Sequence, residues 1–449
     1  MTGWWGVVVV VVLSIMVRFW IAGRLGLAED EAYYWAWSQQ LAGGYFDHPP
    51  AVAWVIRAGT WVLGDTEQGV RLVGLLLGGL VIFLAADLAK DRLLAALTLA
   101  FMPLMALGGL LATPDVVLVA AWTLGIHCAA RDRWIGFGVA VGLAMMSKYT
   151  GVLLWPLVFV ARWELRKEWG PWVALGVATL IVMPNVWWNM QHDWVSYLFQ
   201  LNHVATSADS WGFVAAQIGL AGPIAFLVFV AWWATAMRRP QFAQDPLERI
   251  CWWSSLPVLA IAVWAGGEAN WAAPAFVGPA IAIARRVNAD ERRWRRGGWV
   301  GVGVSAVLST LVLVHSQIPL FNLADDPVHR LRGGKELGES VRGWGMEEVW
   351  TNRYQEAGLI HFYGGVEAKA WPGLGRPSQY DIWSATIEPK QGLFVRVWRG
   401  GASLQMDKEE MGLERSGPNA VTAYAPTNDP LLARPVARWQ VYEFWPKGS

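Results

Sequence analysis

Charge is what this sequence has little of. Asp, Glu, Lys and Arg make up 16% of its 449 residues, against about 25% in a soluble globular domain. Hydrophobic residues reach 55%, more apolar surface than one soluble core could bury, so a wholly soluble chain is excluded. Cysteine is scarcer still: Cys128 and Cys251 both fall in apolar windows, too few for a disulfide framework or a zinc cluster. The net charge of +1 leaves no basic footprint for nucleic acid. There is no G-x-S-x-G elbow, P-loop, Rossmann fingerprint or H-E-x-x-H, and there are no evident repeats or low-complexity tracts, so the common soluble catalytic schemes have no support.

What is present is a series of apolar windows, each about as long as a helix crossing a bilayer core. They lie at 4–22, 68–88, 93–112, 115–130, 134–147, 150–162, 171–187, 212–236, 249–265, 271–285 and 298–317, and predict roughly eleven transmembrane helices. The first lacks a basic leader and is followed by many more, so it reads as an uncleaved helix. Tryptophan occurs 32 times. Many copies (Trp4, Trp5, Trp134, Trp172, Trp187, Trp188, Trp211, Trp271) flank the windows, where an indole prefers the headgroup region.

Alternate connections are basic: Lys90 and Arg92, Arg131 and Arg133, Arg162 to Lys167, Arg238 and Arg239, and "RRVNADERRWRRGG" from Arg285. The positive-inside rule places them, and the N-terminus, on the cytoplasmic side. The opposite connections hold the carboxylates, histidines and asparagines. An odd number of spans returns the last segment to that outer face. Residues 1–318 form the expected membrane domain. Residues 319–449, with strand-like "GLFVRVW" and "RWQVYEFW" and helical "GKELGESVRGWG", form an expected small α/β domain. In the first outer loop, "DEAYYWAWSQQL" and "HPPAVAWVIRAGTWVLG" predict two juxtamembrane amphipathic helices.

The outer connections carry the candidate chemistry. Asp30 and Glu31 follow the first span, at a boundary where an ionised carboxylate is costly unless needed; the alternative is that Asp30 caps a helix and Glu31 is solvated. Asp47 and His48 precede the rigid Pro49-Pro50 pair, with capping and substrate contact about even. Asp115 in "ATPD" heads a span and could share a site with Asp30, or cap its own helix. Lys148, beside Tyr149, snorkels or binds an anionic phosphate. Asn185, Asn189, His192, Asn202 and His203, interleaved with Trp, suit sugar hydroxyls and ring faces, as does Tyr34. His192, Asp193 and His203 match no compact zinc signature, so a divalent metal is the disfavoured reading and no cofactor is implied. Glu268 and Asn270 in "GEANW", and Arg353 and Tyr354 in "TNRYQEAG", complete the set.

With these residues in hand, "EDEAYYWAWSQQLAGGYFDHPP" resembles the polytopic GT-C glycosyltransferases of the aminoarabinose transferase and protein O-mannosyltransferase type. "TPD", "SKYTG", "PNVWWNMQHDWVSY", "NWAAPAF" and "RYQEAG" resemble its bacterial branch. The resemblance implies a multi-span inner-membrane protein with a periplasmic C-terminal domain and a sugar donor carried on polyprenyl phosphate. Asp30 matches the family's essential loop aspartate, and Asp115 falls where a second functional acid is expected. His48 stands where the aminoarabinose enzymes tend to carry Lys, so phosphate binding is expected to shift to Lys148 or Arg353.

The expected reaction is inverting transfer of the sugar to a lipid, glycan or protein acceptor, by a monomer surrounded by membrane lipid. Asp30 serves as general base, while Glu31 and Asp115 tune it or hold the acceptor. A transporter of lipid-linked sugars would place its charges mid-span and show repeat symmetry. A polyprenyl-phosphate-sugar hydrolase would release its product with no acceptor.

Overall fold

The computed structural model describes residues 2–206, 210–286, 292–318, 320–321, 328, 331–343, 345, 348–371 and 375–384. At 2, 204–206, 210, 240–241 and in the strands at 392–398, 414–415, 421–424 and 438–445 it describes the backbone alone. The chain divides into two compact units. The first comprises Met1–Ile21, Leu41–Val62 and Arg71–Leu313, the second Ala22–Gln40, Leu63–Val70 and Val314–Ser449.

As far as Gln317 the described chain is mainly helical, the apolar windows lie on its helices, and all of the helix Glu29–Gln39 belongs to the second unit. In chain order the helices are α1 (Thr2–Ala22), α2 (Glu29–Gln39), α3 (Ala51–Leu63), α4 (Glu67–Leu88), α5 (Arg92–Phe101), α6 (Pro103–Gly108), α7 (Pro114–Ala129), α8 (Trp134–Ser147), α9 (Leu154–Ala161), α10 (Trp169–Gln191) and α11 (Val195–Thr206). They continue with α12 (Ser210–Ala221), α13 (Pro223–Ala236), α14 (Pro240–Gln244), α15 (Pro246–Trp253), α16 (Leu256–Ala265), α17 (Val277–Ala284) and α18 (Arg292–Gln317). Among the described residues four helices are long and apolar enough to cross a membrane: Gly3–Ala22, Glu67–Leu88, Trp169–Gln191 and Arg292–Gln317. Leu13, Met16, Trp20, Leu180, Trp187, Val307 and Leu311 on three of them are exposed, as lipid-facing side chains would be.

Several windows are broken rather than straight. The 212–236 window is two helices, α12 and α13, bent by 109°. At the break Gly222 adopts φ +85°, which a side chain disfavours, and Pro223 offers no N–H to continue the ladder. Likewise α5 ends before Pro103, and α15 and α16 part at Ser254 and Ser255 ahead of Pro257. The core of this unit is aromatic and small at once: Trp122, Phe137, Phe229, Trp232 and Phe276 lie buried among alanines. Two indole N–H groups inside it find acceptors, Trp122 donating to the Ser254 carbonyl at 3.2 Å and Trp233 to Ser255 Oγ at 2.8 Å.

The second unit mixes helices with a sheet. α19 (Gly334–Gly343), α20 (Tyr354–Leu359) and α21 (Gln379–Ser384) accompany strands β1 (Glu348–Thr351), β2 (Glu367–Ala370), β3 (Gly392–Trp398), β4 (Glu414–Arg415), β5 (Val421–Tyr424) and β6 (Arg438–Trp445). The order is β2-β1-β3-β6-β4, with β5 also on β6. β1 pairs in parallel with β2 and β3, while β6 runs antiparallel to β3, β4 and β5. The runs "GLFVRVW" and "RWQVYEFW" are β3 and β6. Their register pairs Val395 with Val441.

α2 belongs to this unit and is anchored by it. Tyr33 Oη accepts the Gln379 N–H at 2.6 Å, and the Tyr33 ring lies 4.4 Å from that of Tyr354. Gly358 in α20 allows the close approach: a Cβ there would stand 2.8 Å from the Ala32 carbonyl carbon. Just before α2, the Leu27 N–H donates to Tyr363 Oη at 2.7 Å, and that hydroxyl donates to Glu67 at 3.2 Å.

Candidate active site

In the first unit the polar candidates gather at helix ends. α7 and α8 are antiparallel neighbours, so the start of one lies level with the end of the other. Pro114 opens α7 as a first-turn proline, its missing N–H costing nothing there. Asp115 follows in the first turn, where the helix dipole favours an anion. It is not the cap; Thr113 holds that position. Lys148, immediately after α8, donates from Nζ to Asp115 Oδ1 at 2.7 Å. Asn270, in the 3₁₀ segment Ala269–Phe276, donates from Nδ2 to the other oxygen at 2.7 Å. Ser147 Oγ donates to the Pro114 carbonyl and ties the two helix ends together.

Both charged side chains of the Asp115–Lys148 pair are 11% exposed. A buried charge is tolerable when paired and hydrogen-bonded, and removing one partner strands the other. Asp115 and Asn270 also border a cavity of about 240 Å³ whose walls include Val81, Ile82, Leu99, Leu104, Met105 and Val119. Its other polar linings are Thr113 and Arg18.

The asparagine-rich candidates hold the first loop. Asn185 Nδ2 donates to the Gly43 carbonyl at 3.0 Å, Ser196 Oγ to the Tyr45 carbonyl at 2.6 Å and Gln200 Nε2 to the Asp47 carbonyl at 2.6 Å. Asn189, fully buried, donates to the Asn185 carbonyl at 3.1 Å and to Tyr149 Oη at 3.4 Å. Tyr149 and Tyr197 lie with ring centroids 4.4 Å apart. Burial pushes the Tyr149 phenol up and that of Tyr197 up to about 12, so both stay neutral donors at ordinary pH. Asp47 is buried, and the His48 carbonyl accepts the Tyr45 N–H at 3.1 Å. α3 begins after Pro49-Pro50, with Trp54 N–H donating to the Pro50 carbonyl at 3.2 Å.

His192 ends α10. Its Nδ1 donates to the Trp188 carbonyl at 2.8 Å, and its ring stacks on the Trp188 indole at 4.0 Å. Asp193 and Trp194 follow at φ +53° and +58°, a left-handed pair that turns the chain into α11. His203 stacks on Phe199 and lies 5.7 Å from the Trp271 ring. Asn202 and Glu268 are exposed. Among the described residues no group of three or more His, Cys, Asp or Glu is placed to hold a metal.

In the second unit the three successive acids of α2 have different surroundings. Ala28 is the N-cap, so Asp30 does not cap the helix; Glu31, fully buried, reaches back to accept the Ala28 N–H at 2.9 Å. That is the carboxylate half of a capping box. Glu29 is buried and faces Arg353 at 3.9 Å. Asp30 alone of the three is exposed. Arg353 also pairs with Glu356 at 3.2 Å. Tyr34 and Tyr354 are both buried, Tyr34 edge-on to Trp37 at 4.9 Å.

Sequence reasoning missed the Asp115–Lys148 pair, Arg18, and the loop-holding roles of Ser196 and Gln200. The pair was legible in principle: antiparallel neighbours joined by a short turn place the start of one window level with the end of the next. Arg18 carried its own signal, an ionisable residue inside an apolar run.

Residues 47–188 match the family described as dolichyl-phosphate-mannose-protein mannosyltransferase. The chain is 30% identical over 313 residues to the lipid A galacturonosyltransferase RgtD of Rhizobium johnstonii, covering 63% of this chain and 64% of that protein. It thus spans a little under two thirds of that relative's length. It is 26% identical over 405 residues to the undecaprenyl phosphate-alpha-4-amino-4-deoxy-L-arabinose arabinosyl transferase of Edwardsiella ictaluri, covering 78% of this chain and 71% of the relative. In fold it resembles the crystal structure of ArnT from Cupriavidus metallidurans bound to undecaprenyl phosphate, with TM-score 0.68 at 16% identity over 99% of this chain and 98% of that one. In its helical fold, in the matched segment that begins in the first loop and in these relatives, the chain is similar to the GT-C polytopic glycosyltransferases of the bacterial branch.

Proposed function

We propose that the protein is an inverting glycosyltransferase that moves a sugar from a polyprenyl-phosphate donor to a lipid or glycan acceptor of the lipid A and lipopolysaccharide kind, on the periplasmic face of the inner membrane. The observation that carries this reading is Asp115, fixed by Lys148 and Asn270 at the border of an otherwise apolar cavity. A carboxylate so held is oriented for a hydroxyl-bearing ligand beside walls that suit a hydrocarbon chain. The relatives' names add a donor on undecaprenyl phosphate and an acceptor in lipid A.

In this reading the acceptor oxygen attacks the anomeric carbon, the bond from that carbon to the phosphate oxygen breaks, and polyprenyl phosphate leaves. Asp30, the exposed acid of α2, takes the acceptor proton. Asp115 orients the acceptor, and Lys148 and Arg353 receive the charge that develops on the leaving phosphate. No cofactor or metal is invoked. The wider architecture belongs to the same proposal: about eleven spans, the N-terminus cytoplasmic, α2 and α3 juxtamembrane, 319–449 a periplasmic α/β domain, and the monomer as the working unit.

The test is transfer of label from radiolabelled polyprenyl-phosphate sugars to lipid A or envelope glycans by the purified protein in lipid. Label appearing in an acceptor supports the reading. Release of free sugar with no acceptor labelled would make the protein a hydrolase instead.

A further inference from the structure

Three of the helices long and apolar enough to cross a membrane have an end at one place: α1 begins at Thr2, α18 begins at Arg292 and α4 stops at Leu88. The ends of such helices lie at the level of lipid headgroups, and Trp4 and Trp5 stand there, as indoles prefer. Between the ends is a cavity of about 410 Å³, the size of a small-molecule site. Its lining carries three cations, Lys90, Arg92 and Arg295, against one carboxylate, Asp91. None of the four takes part in the proposed reaction, and the loop that carries Asp30 joins α1 and α4 at their other ends.

Asp91 is already committed. Its N–H donates to the Ala284 carbonyl at 2.8 Å, its Oδ1 accepts the Leu94 N–H at 3.2 Å, and its Oδ2 accepts Nε of Arg295 at 2.8 Å. Those bonds fix the starts of α5 and α18 to the end of α17. With the single carboxylate taken by Arg295, Lys90 and Arg92 leave the lining positive. The Arg92 guanidinium lies over the Trp4 ring, 4.7 Å from its centroid, and its buried Nε has no hydrogen-bond partner among the described residues. A cation–π contact of this kind holds the planar group in place without neutralising it.

α1 offers bare backbone to this recess. A Cβ on Gly3 would stand 3.9 Å from Arg92 Nη1, and one on Gly6 would stand 3.4 Å from Leu93 Cδ1. Leu13 and Val17, about two and three turns on from Gly6, fall on the same face of the helix, and both are exposed. A cationic recess at a helix end thus continues into an uncovered aliphatic strip along the span. That arrangement is complementary to a phosphate carried on hydrocarbon chains that lie in the bilayer.

We propose that the recess binds an acidic glycerophospholipid of the surrounding leaflet, its phosphate held by Arg92, Lys90 and Arg295 and its acyl chains lying along α1. The guanidinium forks match phosphate geometry. With the N-terminus cytoplasmic, as proposed above, the leaflet is the inner one; the site itself does not depend on the transfer reaction. Basic helix ends attract acidic lipid diffusely in any case. Diffuse attraction follows total charge and ignores shape, whereas a bound lipid depends on Arg92 and on the space beside Gly3.

The experiment measures binding of radiolabelled phosphatidylglycerol and of phosphatidylcholine with the same acyl chains to the full-length protein in neutral detergent. The proteins compared are wild type, Arg92→Gln, Gly3→Leu and Arg296→Cys. Arg296 is exposed near the same helix start but does not line the cavity. Wild type should bind the acidic lipid roughly tenfold more tightly or better, and Arg92→Gln should lose most of that preference. Arg296→Cys, which removes the same charge outside the recess, should keep it. Gly3→Leu keeps every charge but fills the space, and should weaken the acidic lipid several-fold; it carries the test if Arg92→Gln fails to fold. Equal losses in Arg92→Gln and Arg296→Cys, unchanged binding in Gly3→Leu, or a wild type without preference each overturn the assignment. Full displacement of the lipid by equimolar inorganic phosphate also overturns it, because the recess would then take a free anion. The leaflet is read separately, with a membrane-impermeant maleimide on Arg296→Cys in spheroplasts, where Cys128 and Cys251 are buried. Labelling only after lysis supports the inner leaflet. Labelling of intact spheroplasts overturns the placement of the N-terminus and leaves the binding site standing.

Discussion

The two units treat their acids differently. In the first, carboxylates survive among apolar helices by ion pairing: Asp115 with Lys148, Asp87 with Arg131 at 2.6 Å, and Glu248 with Arg286. In the second, position on a single helix decides. Glu29, Asp30 and Glu31 are consecutive, and successive residues on a helix point about 100° apart. One therefore faces Arg353, one is exposed and one folds back onto the helix start. Charge in the first unit is locked by a partner, whereas in the second one acid is presented while its neighbours hold the helix. A proton acceptor must reach its substrate, which is why the proposed reaction gives that role to the exposed Asp30.

The sharpest way to break that contrast is Asp30→Asn. Transfer should fall by about 10²- to 10⁴-fold, the range for losing a general base, with the melting temperature unchanged. Glu31→Ala should do the reverse, losing about 0.5–2 kcal/mol of stability as a capping interaction does, with a smaller effect on the rate of the folded fraction. If Glu31→Ala abolishes transfer in a fully folded protein while Asp30→Asn does not, the two residues exchange roles. In the first unit, Lys148→Met should destabilise by about 3–5 kcal/mol, because it strands a buried carboxylate. Adding Asp115→Asn to it should recover much of that loss. Chemical denaturation of the two variants checks it; strictly additive effects would mean that the pair is not coupled.

How much of this was legible beforehand differs between the units for the same reason. Apolar windows announce helices wherever hydrocarbon is the surrounding medium, and every window in the first 317 residues is helical in the structure. Their breaks were harder to read, because an apolar run looks alike whether straight or bent, although Gly222-Pro223 and Met102-Pro103 carried the chemistry of a break. The candidate residues were recognisable by type, but their partners were not. Asn185 and Asn189 suit sugar hydroxyls as well as they suit a loop carbonyl, and only the fold shows that they bond to Gly43, Asn185 and Tyr149. Asp115 stands out by type as an acid at a helix start, but nothing in its neighbourhood in the chain announces the ion pair with Lys148, the residue that follows the next helix.

The smallest expected effect concerns the presented helix itself. His361, in the wide turn Ile360–Gly364, packs its ring edge-on against Trp35 of α2 at 5.0 Å. Burial holds its imidazole below the ordinary histidine value, against the opposing pull of the Glu367 and Asp65 carboxylates. The neutral ring is thus the folded form, while the unfolded chain takes up a proton near pH 6.5. Below that point the unfolded state binds more protons, so stability falls as pH falls, and above it the contribution is complete. Melting temperatures of the full-length protein between pH 7.5 and 5.5 should drop more steeply for wild type than for His361→Phe, which keeps the ring contact and cannot titrate. Equal slopes would mean that α2 is held without regard to this imidazole, and that the tyrosine contacts from Tyr363, Tyr354 and Gln379 to Leu27 and Tyr33 suffice to present Asp30.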